Sequence, residues 1–497
     1  MTTQKQVPPK GENSENSHTF KPRDGVLPGV LPPNLQDDYV AGAVMPYLKA
    51  EFYMGEQPLL PMIEFALSKE DAQPIQFMGL FYEGWAANSE GEGYSVFTRP
   101  YDKRGPHNLS KKIYMSALTS DLIETKYHSK IAGFLERFLA ESHDGKPMLE
   151  NYFDNYFNLY WDLYVGAKPD EIPDAVRQYS AAFNTTAGFW FPTLEIMQQN
   201  FLRARKWRGA TKEWLDNRVQ TIADGKLSNA DSTFVYYWLK NAGSGEYFRR
   251  IDVIFECANN LLATSHWGAT LCYVAAKLEA TDGDPDIKAW FARTMTNEPD
   301  KSDGSPFTPL ERFVMELLRV ITPNPGSLSR LQGNNKLLGL SSSAIVTPHL
   351  PANMDPRQWK NPTEFDPDRF KTARTSADND EARAKQIGLE RCPFSKEAFP
   401  VKDGRKVEIT NSVFGAAYSE VDGKPHPVVD TAGYASFGFG YRRCPGELLS
   451  MDLLKTFLRL VWQNKISFVR LDIDNPRLVP FDPGTLLPDN IAFRRAK

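Results

Sequence analysis

The chain has 497 residues, 41% of them apolar, enough to bury one large core or two modest ones. Its 58 Lys+Arg against 62 Asp+Glu leave a formal charge of −4, which excludes a general nucleic-acid binder with its strongly basic face. Four cysteines, none in a Cys-x-x-Cys pair, exclude a secreted disulfide framework. With 31 Phe, 20 Tyr and 10 Trp the composition is that of a ring-rich globular protein, not a disordered or fibrous chain.

Residues 1–34 carry Lys5, Lys10, Lys21 and Arg23 among Pro, Ser, Asn and Glu, with no apolar run. They read as a flexible lead-in without a secretory signal or membrane anchor, so the expected location is cytoplasmic. Residues 35–497 show no repeat and no linker, which predicts one large domain, mainly α with small β-sheets (α+β). Helices are expected at 111–141, where Ile113, Leu118, Leu122, Ile131, Phe134 and Phe138 share burial, at the aromatic 151–166, and at the charged 202–224. The longest candidate is 251–278. Its charge-free stretch 257–276 contains Asn259, Asn260, Thr264, Ser265 and His266, too polar for lipid, so it reads as a helix buried on all sides.

Thr308 as N-cap, Pro309 at the first helical position and Glu311 completing a capping box mark the next helix. Short strands are expected in 328–348. The charged insertion 371–431 holds two Asp-Gly turn signals, Asp403-Gly404 and Asp422-Gly423, beside β-formers. A last helix is expected over 445–463, with Leu449, Leu453, Phe457 and Val461 on one side.

Just before that helix stands Phe437-Gly438-Phe439-Gly440-Tyr441-Arg442-Arg443-Cys444-Pro445-Gly446. A glycine-rich loop delivers a cysteine to a helix N-terminus, whose free N–H groups favour thiolate. The glycines allow something flat and bulky to approach, and Arg442 can neutralise an acidic group on it. These are the requirements of an axial thiolate on haem iron. The string resembles the haem-binding signature of the cytochrome P-450 superfamily, F-x-x-G-x-R-x-C-x-G, with matches at Phe437, Gly440, Arg442, Cys444 and Gly446.

The resemblance implies heme b (iron protoporphyrin IX), with Cys444 as its iron ligand, Arg442 on a propionate and Phe437 beside the thiolate. Arg391-Cys392-Pro393 repeats the triplet without the glycines; Cys392, Cys257 and Cys272 read as ordinary thiols. Glu316 and Arg319 form the family's E-x-x-R, and Arg369 in Pro367-Asp368-Arg369-Phe370 resembles its P-x-R-F partner. Arg330 is placed to reach a second propionate, and His107 with Lys111 resembles an H-x-x-x-R contact in which Lys replaces Arg.

The resemblance breaks on the long helix. The family's (A/G)-G-x-(D/E)-T aligns with Ala263-Thr264-Ser265-His266-Trp267, which replaces the acid by His266 and the alcohol by Trp267. A shifted register offers Thr270 but no acid. An indole donates and cannot accept a proton, whereas His266 can relay one near its ordinary pKa. Phe189, Trp190 and Phe191, with Leu486 and Leu487, fall where the family's substrate elements lie.

The expected activity is a haem-thiolate oxidation of a small apolar or aromatic molecule by hydroxylation, desaturation or oxidative coupling. Its partners would be O2 and a ferredoxin or flavoprotein reductase. The altered distal motif leaves open a peroxide- or hydroperoxide-using peroxygenase, isomerase or dehydratase, or a haem sensor.

Overall fold

The computed structural model describes residues 39–40, 50–53, 72–74, 96, 106–140, 145–182, 194–242, 248–323, 326–331, 344–354, 356, 359–378, 397–400, 405–411, 417–431, 434–438, 443–474, 476, 478–482 and 485–495. The lead-in 1–34 lies outside them, as do Cys392 and the Asp403-Gly404 turn.

Helical spacing of apolar residues gives nine helices before residue 322 among the described residues. They are α1 (Pro106–Met115), α2 (a run of Ser120–Leu122, π-helical Ile123–Tyr127 and His128–Ala140), α3 (Met148–Val165), α4 (Asp174–Ala181), α5 (Leu194–Ala223), α6 (Phe234–Asn241), α7 (Arg250–Lys277), α8 (Pro285–Thr296) and α9 (Pro309–Ile321). The helix expected over 111–141 is broken in two. Ser116 Oγ donates back to the Ile113 carbonyl (2.6 Å), and Thr119 starts a new helix by accepting from the Leu122 N–H (3.3 Å). Such local side-chain bonds compete with the helical backbone pattern.

α3 is the aromatic spine of the core, with Tyr152, Tyr156, Tyr160 and Trp161 buried. α7 packs across it so closely that a Cβ on Gly268 would lie 2.5 Å from Tyr152 Cδ1. Burial around most of α7 accounts for its uncharged stretch: Val253, Cys257, Leu261, Leu271 and Val274 are all inaccessible. Among the described residues, no helix is long and apolar enough to cross a membrane.

α9 opens with the expected capping box, Glu311 N donating to Thr308 Oγ1 (3.3 Å) and Thr308 N to Glu311 Oε2 (2.9 Å). After it come β4 (Gly326–Leu331) and β5 (Ala344–Pro348), which join β1 (Tyr39–Val40), β2 (Ala50–Tyr53) and β3 (Ala72–Pro74) in a sheet of order β1-β2-β5-β4-β3. Only the β2–β5 pairing is parallel. The short α10 (His349–Asn353) follows.

Within residues 371–431, β6 (Glu397–Pro400), β7 (Lys406–Asn411), β8 (Ala417–Val421) and β9 (Lys424–His426) form an antiparallel sheet. Asp422 and Gly423, at φ 50° and 75°, make the β8–β9 turn, as a two-residue hairpin requires. The sheet is docked onto the head of α2, where Ser419 Oγ meets Ser120 Oγ (2.9 Å) and Arg405 pairs with Asp121. The chain closes with α11 (Glu447–Gln463) and β10 (Ile466–Arg470), β11 (Leu478–Asp482), β12 (Thr485–Pro488) and β13 (Ile491–Arg495), paired as β10–β13 and β11–β12. The architecture is mainly α with small β-sheets.

Candidate active site

On α9, the i,i+3 spacing of Glu316 and Arg319 puts both on one face, and neither is accessible. Arg319 Nε and Nη2 donate to Glu316 Oε2 and Oε1, each at 2.8 Å. Arg369 Nε adds a bond to Oε1 (3.0 Å), and the Asp366 N–H another (2.9 Å). The second guanidinium spends its other donors on the carbonyls of Lys360 and Glu364 (2.8 and 2.9 Å). The Trp359 ring lies 5.6 Å from Arg319 and 5.9 Å from Arg369. A buried ion group survives only when its remaining donors and acceptors are satisfied, and here the carbonyls supply that.

Asn353, inaccessible at the end of α10, joins this group to the cysteine loop. Its carbonyl accepts from Arg319 Nη1 (2.8 Å) and its Oδ1 from the Ala435 N–H (2.7 Å). Its Nδ2 donates to Thr322 Oγ1 (2.8 Å) and Ser436 Oγ (3.0 Å). Ser436 Oγ in turn donates to the Leu318 carbonyl (3.0 Å). Phe437, half-buried, comes next; its carbonyl accepts from the Cys444 N–H (2.7 Å), closing the loop across Gly438 at φ 77°. Gly440 and Arg442 lie outside the described residues.

Cys444 does not immediately precede the helix. α11 starts at Glu447 with Gly446 as N-cap, so Pro445 belongs to a turn. The expected thiolate preference is reversed: burial pushes the thiol up to about 11. The Gly446 N–H, Lys111 and Arg443 act downward, and Glu447 acts upward. Lys111, buried on α1, donates its Nζ to the Arg443 carbonyl (3.0 Å). Arg443 grips Glu447 through two bonds of 2.7 and 2.9 Å. Cys257 and Cys272 are buried free thiols, raised by desolvation.

Cys444 is exposed to solvent by area yet surrounded by enough protein to shift its thiol upward. His266 behaves alike: it is only half-buried, yet desolvation lowers its imidazole to about 4, below the near-neutral value expected. Ala263 is exposed in the middle of α7, between buried Leu261 and Thr264.

The other distal candidates are committed elsewhere. Trp267 Nε1 donates to Ser450 Oγ on α11 (2.9 Å), and Thr270 Oγ1 to the His266 carbonyl (2.8 Å). Thr264 Oγ1 likewise donates to the Asn260 carbonyl (3.1 Å). Glu256, missed from sequence, is buried and accepts from the Val96 N–H (3.1 Å) and Asn260 Nδ2 (3.3 Å). Asn259 Oδ1, buried one turn before Ala263, finds no partner among the described residues.

The donor set fits a haem: an exposed cysteine, a glycine whose Cβ would come to 3.7 Å of its sulfur, the cations Lys111 and Arg443 acting on it, and an exposed alanine on the long helix. Among the remaining expectations, Arg330 is on β4 opposite Gln73 and Ala344, and His107 is in the first turn of α1. Leu486 and Leu487 pair with Pro480 and Val479. The side chains of these four are not among those described, and Phe189, Trp190 and Phe191 lie outside the described residues.

No protein-family model matches the sequence, and comparison with curated proteins finds no match. Solved structures do match. A retinoic acid-bound cyanobacterial CYP120A1 is 14% identical, with TM-score 0.57 over 90% of this chain and 89% of that one. A mutant of cytochrome P450SP alpha (CYP152B1) is 14% identical, with TM-score 0.58 over 90% and 91%. Cytochrome P450EX alpha (CYP152N1) with myristic acid is 14% identical, with TM-score 0.53 over 90% of each chain.

Proposed function

We propose that this chain, which has the cytochrome P450 fold, is a haem-thiolate oxidoreductase acting on a small apolar or aromatic molecule. The observation that carries the reading is the exposed Cys444 in a loop tied through Asn353 to the Glu316–Arg319–Arg369 group. Heme b, when bound, supplies oxidising power at its iron. Cys444 is the residue to hold that iron. The Gly446 N–H, Lys111 and Arg443 favour its thiolate, and Arg443 neutralises the nearby Glu447 carboxylate. Ala263 leaves room on the distal side, and the apolar faces of α7 exclude water.

Asn259 Oδ1 is an acceptor for a donor group on the bound molecule. Retinoic acid and myristic acid, found in two of the similar structures, are apolar acids suited to first binding trials.

A second reading concerns the oxidant. The acid–alcohol pair that relays protons to bound oxygen is absent from the aligned turn, and the Thr270 hydroxyl is spent on its own helix. A hydroperoxide needs no electron donor. The neutral His266 imidazole can accept its proton and return it to the departing alcohol oxygen. We therefore favour a hydroperoxide over O2 with a ferredoxin or flavoprotein reductase.

The test is the reduced, carbon monoxide-bound absorption spectrum of the haem-loaded protein. A thiolate-type, red-shifted Soret band lost in Cys444→Ser supports the proposal; a histidine-type band in the unmodified protein refutes it. Turnover with cumene hydroperoxide but none with O2 and a reductase then decides the oxidant.

A further inference from the structure

A lane of aromatic rings runs from α1, the helix bonded through Lys111 to the cysteine loop, to the half-buried Trp214. Tyr114 stands one turn after Lys111 on α1, the lysine whose Nζ donates to the Arg443 carbonyl beside Cys444. From Tyr114 the next ring is Trp238 on α6, stacked at 5.0 Å between centroids. Then come Tyr164 (5.8 Å), Tyr160 (4.1 Å, stacked) and Trp161 (4.8 Å) on α3, and last Trp214 on α5 (5.2 Å). The first five rings are buried and Trp214 is half-buried. Ring packing alone accounts for such contacts inside a core. It does not account for a lane that starts on the helix bonded to the loop of the one exposed cysteine among the described residues and ends in a tryptophan reached by solvent.

We propose that this lane carries electrons from Trp214 to the Cys444 site, making the Trp214 surface a second oxidation site for small phenols. The inference rests on the hydroperoxide reading of the active site. Tunnelling falls steeply with separation, and neighbouring rings of the lane lie no more than 5.8 Å apart between centroids. The tryptophans are the stations, because an indole can lose an electron and keep its proton. Burial holds the Tyr114, Tyr160 and Tyr164 phenols well above the ordinary tyrosine value, so these rings bridge the stations without deprotonating. In the overall reaction one hydroperoxide and two phenols give one alcohol, one water and two phenoxyl radicals. The O–O bond breaks, taking two electrons and two protons, and each phenol O–H supplies one of each.

Haem-loaded protein is treated with cumene hydroperoxide and a nitroso spin trap, and the trapped residue is located by peptide mass spectrometry. Guaiacol oxidation is followed in parallel. The expected result is an adduct on Trp214 that falls at least tenfold in Trp161→Phe and in Trp238→Phe, while both variants keep the thiolate-type spectrum. Trp214→Phe should lose guaiacol oxidation at least tenfold with that spectrum intact. A wild-type protein with the thiolate-type spectrum but no Trp214 adduct overturns the inference. So does equal labelling of Trp214 in an interrupted variant that keeps the spectrum. A protein lacking the thiolate-type spectrum refutes the cofactor reading, and this inference falls with it.

Discussion

Replacing Asn353 by Ala should cost about 3 kcal/mol of folding stability. Asn353 is inaccessible, and its side chain makes three bonds, of 2.7, 2.8 and 3.0 Å. Truncation strands the buried Ala435 N–H, at about 1–3 kcal/mol. It also removes two ordinary bonds to Thr322 and Ser436, worth about 0.5–1.5 kcal/mol each. Both hydroxyls keep their own donations, to the carbonyls of Arg319 and Leu318, so their loss is the smaller part. Asn353→Asp should be no milder despite its shape. One oxygen still serves Ala435, but the other faces two hydroxyl oxygens that already donate elsewhere, and it brings a buried charge. Urea unfolding followed by circular dichroism, with the Soret band of the haem-loaded form as a second probe, gives both values. The reasoning is refuted by an Ala variant within about 1 kcal/mol of wild type, since an orphaned amide alone costs at least that, or by an Asp variant more stable than the Ala one.

Glu316→Gln preserves volume and leaves two guanidiniums around a neutral amide. Removing one partner of a buried pair costs about 3–5 kcal/mol, readable as a lower urea midpoint and faster haem loss. Trp267→Phe and Ser450→Ala should each cost about 1 kcal/mol, the worth of one hydrogen bond. Their double variant should cost less than the sum, and strict additivity would deny that the 2.9 Å bond forms. His266, lowered to about 4 by burial, binds fewer protons folded than unfolded between that value and the ordinary histidine range. Its contribution is therefore complete above about pH 6.5 and is lost as pH falls toward 4. The urea midpoint of wild type should decline over that window more steeply than that of His266→Gln, and parallel profiles would contradict the placement.

What could be read from the sequence was what depends on near neighbours. The capping box of α9 and the i,i+3 placement of Glu316 and Arg319 are fixed by helical geometry within a turn. The cysteine loop was legible because its glycines and its sulfur stand in one short string. Asn353 was not, since its partners lie 31, 82 and 83 residues away and an isolated Asn carries no pattern. The partner of Trp267 was hidden for the same reason: Ser450, which takes its N–H, lies 183 residues on. The start of α11 was placed two residues early because Pro445 suits a first helical position, whereas Gly446 takes the N-cap. The break at Ser116 was hidden by apolar periodicity that continues across it.

The docking of the insertion sheet on α2 has a consequence for biosynthesis. Ser120 leaves the ribosome 299 residues before Ser419, and Asp121 leaves it long before Arg405. The Asp121 side chain is 4% exposed in the finished protein, an unfavourable place for a carboxylate whose cation has yet to be synthesised. The head of α2 therefore stays unsettled until Arg405 and Ser419 have been made, and the helices synthesised before them remain clients for chaperones until then.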